Sequence, residues 1–382
     1  VTPVEEAEEA SFAFQAALAR IGVATVAEAI ALWSRLNPAK ISATAGAWLD
    51  DAVTMILSRR GESRELAIAY YRLVRALRTG STVPRPGEVE PTYIPLGKLR
   101  QEFAELIADT ELAWAPAGVP TDEQDSVRAE RAQEAYSDRA PTYSQPSTGD
   151  DEAVRVETEF SSDPDEEIRR LEAEIAERDR LAEKEAELVM EQLGARLLEK
   201  KLAEAEKAKE ADDRDAVRDG AHTQAGARQA AAAERIVLNG ARDEIAARIK
   251  RDRRVIGYVR LPRTGTPCGF CAMLISREVL YLSRATAGGR SANTESVLMG
   301  ASGDDDYHDN CHCYAEPVFS KADYRDSERF ALNRQYSAEW PKVTKGLGGK
   351  AALAAWRRYI RNQQAQARSR ARSQTTAQEA SE

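Results

Sequence analysis

PDEEIRRLEAEIAERDRLAEKEAELVMEQL, residues 164–193, is the stretch on which the architecture of this chain turns. Asp163 suits the capping position before it. Pro164 suits the first helical position, and Glu166 and Glu167 suit the positive end of the helix dipole. Ile168, Leu171 and Ile175 recur at seam spacing. Arg178 takes the next seam position, and the apolar stripe resumes at Leu181, Leu188, Leu193, Leu197 and Leu202. Opposite charges at helical spacing, Glu174–Arg178 and Glu204–Lys207, decorate the rest. The pattern predicts one long charged helix over 164–215 with an interrupted seam. Two arrangements satisfy it: a coiled coil with itself or a neighbour, or a single helix bridging two domains.

On the C-terminal side the helical pattern continues. His222 lies in Asp219-Gly220-Ala221-His222-Thr223, which predicts a helix break carrying an exposed histidine. Ala225–Arg254 reads as a second helix, with Ile236, Val237, Ile245 and Ile249 as its larger apolar residues and a basic run at its end. The period then changes: Val255-Ile256-Gly257-Tyr258-Val259-Arg260-Leu261 reads as a strand, followed by the turn residues Pro262, Gly265 and Pro267.

On the N-terminal side, Asp150–Glu167 holds nine acidic residues against Arg155 alone, the charge of a solvated linker. Eight of the fifteen prolines fall in residues 81–149, which predicts extended chain there except for a proline-free helix over Leu96–Trp114. Residues 8–80 read as four helices. Gly22 is expected to end the first, Pro38 the second, and Gly61 to separate the third from the fourth. The organisation expected is therefore a helical N-terminal domain (1–80), a proline-rich and acidic linker region (81–163), long charged helices (164–254), a cysteine-histidine module (255–340) and a basic tail (341–382). The fold class is mainly α with a small α+β module.

Composition bounds the function. Of 382 residues 42% are hydrophobic, 6% aromatic and 31% charged, which is lean for one dense enzyme core and fits modest globular parts joined by solvated helices. A net charge of −9 excludes a uniformly basic nucleic-acid binder. No unbroken run of 18 apolar residues occurs, so no membrane contact is expected, and Val1–Ala10 lacks the profile of a secretion signal.

The sharpest chemical signal is Cys268-Gly-Phe-Cys271 followed by His308-Asp-Asn-Cys311-His312-Cys313. Every cysteine and two of the three histidines lie within these 46 residues. A two-residue gap lets two thiolates hold one ion from a tight turn, and a second pair closes a tetrahedron. A structural zinc would take Cys268, Cys271 and one of Cys311 or Cys313, completed by His308 or the remaining cysteine. His312 fits least, because adjacent residues in extended chain point oppositely. Disulfides, reduced packed thiols and a thioredoxin-like redox pair are the alternatives. A closed four-ligand site leaves no place for a catalytic water, so no catalysis is expected from it.

These residues also carry a resemblance. The strand before Cys268, the CxxC, Ala272-Met273-Leu274 with Ser276-Arg277, then His308-x-x-Cys311-x-Cys313 and Pro317-Val318-Phe319 resemble the cysteine-histidine segment of phage minor capsid, or head morphogenesis, proteins related to the F protein of phage Mu. The resemblance covers 255–319. It implies a non-enzymatic virion component, in the host cytoplasm during assembly, with portal and capsid proteins as partners.

Other chemistry is weakly signalled. A hydrolase needs a histidine base, and only His222, His308 and His312 exist. No GxxxxGK[ST] or GxSxG motif occurs. Asp304-Asp305-Asp306 reads as a solvated loop. From Pro341 to the end, nine basic residues face two acidic ones, and the Arg-Ser-Arg-Ala-Arg stretch is expected to be disordered beyond a helix over Ala351–Ile360. Such a tail attracts phosphate without sequence preference, so DNA is a candidate partner. A zinc-stabilised nucleic-acid-binding protein is the alternative function, and a maturation hydrolase the remaining one.

Overall fold

The computed structural model describes residues 2–113, 152–157, 164–206, 211–262, 267, 269–277 and 313–379. The chain is mainly helical, as expected. It forms two compact units that divide after Arg251.

The first unit opens on helix α1 (Pro3–Trp33). The Thr2 hydroxyl accepts from the Glu5 amide at 3.2 Å, while the Glu5 carboxylate accepts from the Thr2 amide at 2.7 Å, so two orphan donors are satisfied reciprocally. The expected stop at Gly22 does not occur, because this glycine serves packing. A Cβ there would lie 2.7 Å from a carboxylate oxygen of Glu234. Helix α2 (Ile41–Thr79) likewise runs through Gly61. An interior glycine costs only about 1 kcal/mol relative to alanine, which burial along so long a helix outweighs. Two helices thus replace the expected four, and only the break near Pro38 is realised.

Helix α1 is also notable for its apolar composition. Its most apolar 18-residue window has a mean hydropathy of 1.5, so α1 is long and apolar enough to cross a membrane by composition, although scattered polar residues break the run. Half of that window is buried in this fold. Phe14 stacks on Tyr70 with ring centroids 4.1 Å apart, and Tyr70 meets Phe103 of helix α3 (Leu96–Ala113).

The acidic segment is not simply a solvated linker. Strand β3 (Ala153–Val156) lies between β1 (Ser81–Thr82) and β2 (Tyr93–Pro95), parallel to the first and antiparallel to the second. Val154 and Val156 are buried, and Glu157 accepts from Arg75 at 2.7 Å. Beside it the fully buried Arg72 binds Glu90 and Glu102, each at 2.6 Å, and donates to the Val83 carbonyl at 3.1 Å. Buried charge survives here because each guanidinium has carboxylate partners.

Helices α4 (Pro164–Leu193) and α5 (Ala195–Ala205), parted at Gly194, and α6 (Ala211–Arg251) complete this unit. The expected seam is displaced. Leu181 is 52% exposed, whereas Ala182, Ala186, Val189 and Met190 are buried. The small residues let α4 approach α2 and α6 closely, so it is neither a bare bridging helix nor unpartnered. Arg178, which interrupts the seam, pairs with Glu244 of α6 at 3.1 Å, and Asp179 pairs with Arg64 of α2 at 2.6 Å. Helix α6 buries Ile236, Val237, Ile245 and Ile249 as expected. It is bound to α2 by the Ser63 hydroxyl donating to the Val237 carbonyl at 2.6 Å and by Arg60 donating to that of Ile236 at 2.9 Å.

His222 lies inside α6, not at a break, and is half-buried. Its carbonyl accepts from the Trp33 indole at 3.1 Å, and the two rings lie 5.2 Å apart. Burial lowers the histidine pKa, against a backbone hydrogen bond at Leu36 and the charge of Asp219.

The second unit is built on strands β4 (Gly257–Leu261) and β5 (Tyr314–Val318), an antiparallel pair buried at every position. Around it lie α7 (Gly269–Ile275), α8 (Lys321–Asp326), a 3-10 turn (Glu328–Phe330), α9 (Ala331–Val343) and α10 (Gly349–Glu379). The buried Asn333 of α9 donates to the carbonyls of Arg260 on β4 (3.0 Å) and Ile275 on α7 (3.2 Å). Glu316 on β5 and Arg329 form a buried ion pair at 2.7 Å. The expected disordered stretch after Ile360 is instead helical to Glu379.

Candidate functional site

The second unit holds the placed part of the cysteine cluster. Cys271 lies on α7, and Cys313 directly precedes β5; both are buried. Strand register fixes the place of Cys313. Tyr314 pairs with Leu261, the last residue of β4, so Cys313 lies where the chain leaves β4 toward α7. Cys268, His308, Cys311 and His312 lie outside the described residues, as does Asp304-Asp305-Asp306. Among the described residues no group of three or more His, Cys, Asp or Glu side chains is placed to hold a metal ion. Two soft sulfur donors buried in one small unit fit the chemistry of a thiolate metal site.

Helix α7 is locked against α10. A Cβ on Gly269 would lie 2.9 Å from Cγ and 3.3 Å from Cα of Arg357, so only glycine permits this approach. The Gln364 amide donates to the Pro267 carbonyl at 2.8 Å. Deeper in the unit, Trp356 is fully buried, with Tyr336, Trp340 and Tyr359 at ring-centroid distances of 5.6, 5.2 and 5.4 Å. Arg277, just past α7, lies over the Trp340 ring at 5.3 Å. Burial, with Glu339 nearby, pushes the Tyr336 hydroxyl up to about 12, so it stays protonated and neutral over the physiological range. Helix α7, which carries Cys271, and the start of the basic C-terminal segment are therefore parts of one packed module. The packing replaces the separate tail that the charge count of residues 341–382 predicts.

Gly269, Phe270, Ala354, Arg357, Arg358 and Arg361 line an open groove of about 540 Å³ on this module. Lys350, Arg357, Arg358 and Arg361 are exposed and make no ion pair among the described residues. This groove was missed from sequence. Its only signal there was the spacing of the basic residues along a helix, and counting net charge hides spacing.

The geometry defines a mainly helical protein whose second unit combines a buried two-stranded core, buried cysteines and an exposed arginine-lined groove. Over residues 174–339 the chain matches the model of a viral protein family described as VG15 protein. The match runs from within α4 to within α9 and so takes in the long helices that the first resemblance left out; α10 and the N-terminal helices lie beyond it. No curated protein and no solved structure matches the chain.

Proposed function

We propose that the chain is a structural protein of phage particles, a minor capsid or head morphogenesis component that works beside the portal and is not an enzyme. The observation that carries this reading is the viral family match over 174–339, which spans the same cysteine-histidine segment whose order and spacing resemble the phage Mu F-related proteins. The buried positions of Cys271 and Cys313 support a structural zinc in this module, with Cys268, Cys271 and Cys313 or Cys311 as thiolate ligands and His308 as the candidate fourth. Such an ion would tie the CxxC turn to the start of β5 and supply folding energy, with no open position for chemistry.

One preparation tests both parts. Particles from cells expressing the tagged chain are separated on a density gradient, and the chain from the particle fraction is assayed by mass spectrometry for zinc. Co-sedimentation with portal and capsid proteins, with about one zinc per chain, is the expected result. Absence of the chain from particles overturns the virion reading. Particle-bound chain without zinc, whose thiols are blocked until reductant is added, replaces the metal with disulfides.

A further inference from the structure

We infer that one face of α10 is a binding surface for the phosphodiester backbone of nucleic acid, with the arginine-lined groove beside Phe270 as its phosphate seat. The observation is one of register. At about 100° per residue, positions 350, 357, 361, 368 and 372 return to one side of an α-helix within roughly 60°. All five are basic: Lys350, Arg357, Arg361, Arg368 and Arg372. The side buried in the module, centred roughly 130° away at 100° per residue, carries Ala352, Trp356 and Ile360, each under a tenth exposed. No acidic residue occurs in α10 before Glu379. Of the five basic residues, Lys350, Arg357 and Arg361 are exposed and form a row about 17 Å long at 1.5 Å per residue, on the part of the helix whose packed side is anchored. An ordinary solvated helix carries mixed signs that pair at three- and four-residue spacing, as α4 does with Glu177 and Arg180.

Charge complementarity selects the occupant. Double-stranded DNA presents one negative charge per about 1.7 Å of axis, a continuous line of the kind this row matches, whereas an acidic protein surface presents scattered carboxylates. The groove lies beside this row: Arg357, Arg358 and Arg361 line it together with Gly269, Phe270 and Ala354. Guanidinium groups suit this because they bind phosphate oxygens in a fork. The inference rests on the virion reading only for which nucleic acid is met, and α10 lies outside the family match.

The test is fluorescence anisotropy of a labelled 30-base-pair duplex titrated with the full chain at several salt concentrations. The stripe variant Lys350→Gln/Arg357→Gln/Arg361→Gln is compared with a charge-matched control, Lys321→Gln/Lys342→Gln/Lys345→Gln, whose residues are off this helix. The stripe variant is expected to lose at least tenfold in affinity near 0.1 M salt and to lower the slope of log K against log salt by about 2.7, as removal of three phosphate contacts requires. The control is expected to stay within twofold. Equal losses in the two variants, or no binding by the unmodified chain, overturn the proposal. So does competition by poly-glutamate as effective as that by unlabelled duplex, which would assign the face to an acidic protein. Arg357→Lys/Arg361→Lys keeps the charge and is expected to bind within about threefold of the unmodified chain, which separates lost contacts from lost folding. Particle association is measured independently, so DNA binding without it, or the reverse, shows which of the two readings has failed.

Discussion

At the residue scale, His222 shows how a single side chain couples the core to pH. Its ring lies against Trp33 and is half-buried, and burial holds its pKa below the ordinary 6.5. As pH falls, the unfolded chain therefore takes up this proton before the folded one does. The contribution of His222 to stability is complete above about pH 6.5 and is lost as pH drops through the lowered folded value. In His222→Gln, which cannot titrate there, the fall in thermal midpoint between pH 7 and pH 5 is expected to be smaller than in the unmodified chain. Identical falls would place the acid sensitivity elsewhere.

At the scale of elements, α10 depends on one aromatic anchor. Trp356 is fully buried among Tyr336, Trp340 and Tyr359, so Trp356→Ala leaves a cavity that α7 and α9 cannot fill. A loss of about 3–5 kcal/mol is expected in chemical denaturation of the second unit, and near-normal stability would mean that α10 is not held there. Helices were legible in the sequence as elements because their apolar period is strong, but their ends were not. Gly22 looks like punctuation until its partner surface is known, and Glu234 next to it comes from a helix some 200 residues later. Strand β3 was hidden because Val154 and Val156 alternate within a run whose charge dominates any count. The cysteine cluster was legible as a motif, since its spacing is itself chemical information. The cationic face was not, since it exists only once residues 349–379 are known to be helical and Trp356 is known to point inward.

At the scale of the whole molecule, chain order and spatial order disagree. Helices α1 and α2 are made before α6, yet α6 packs against both of them, and it is completed only at Arg251. The bonds that close this core join distant residues: Trp33 to His222, Gln229 to Ala29, Ser63 to Val237. During synthesis at about 5–20 residues per second, the apolar faces of α1 and α2 are therefore left waiting for roughly ten to thirty seconds before their cover emerges from the ribosome. Nascent chains arrested before residue 211 are expected to be cleaved readily by added protease within 2–79, and chains arrested some 40 residues beyond Arg251 to resist it. Equal resistance at both lengths would mean that the first two helices close on themselves unaided. The ribosome thus presents α1, an apolar helix of 31 residues, to solvent well before α6 can cover it.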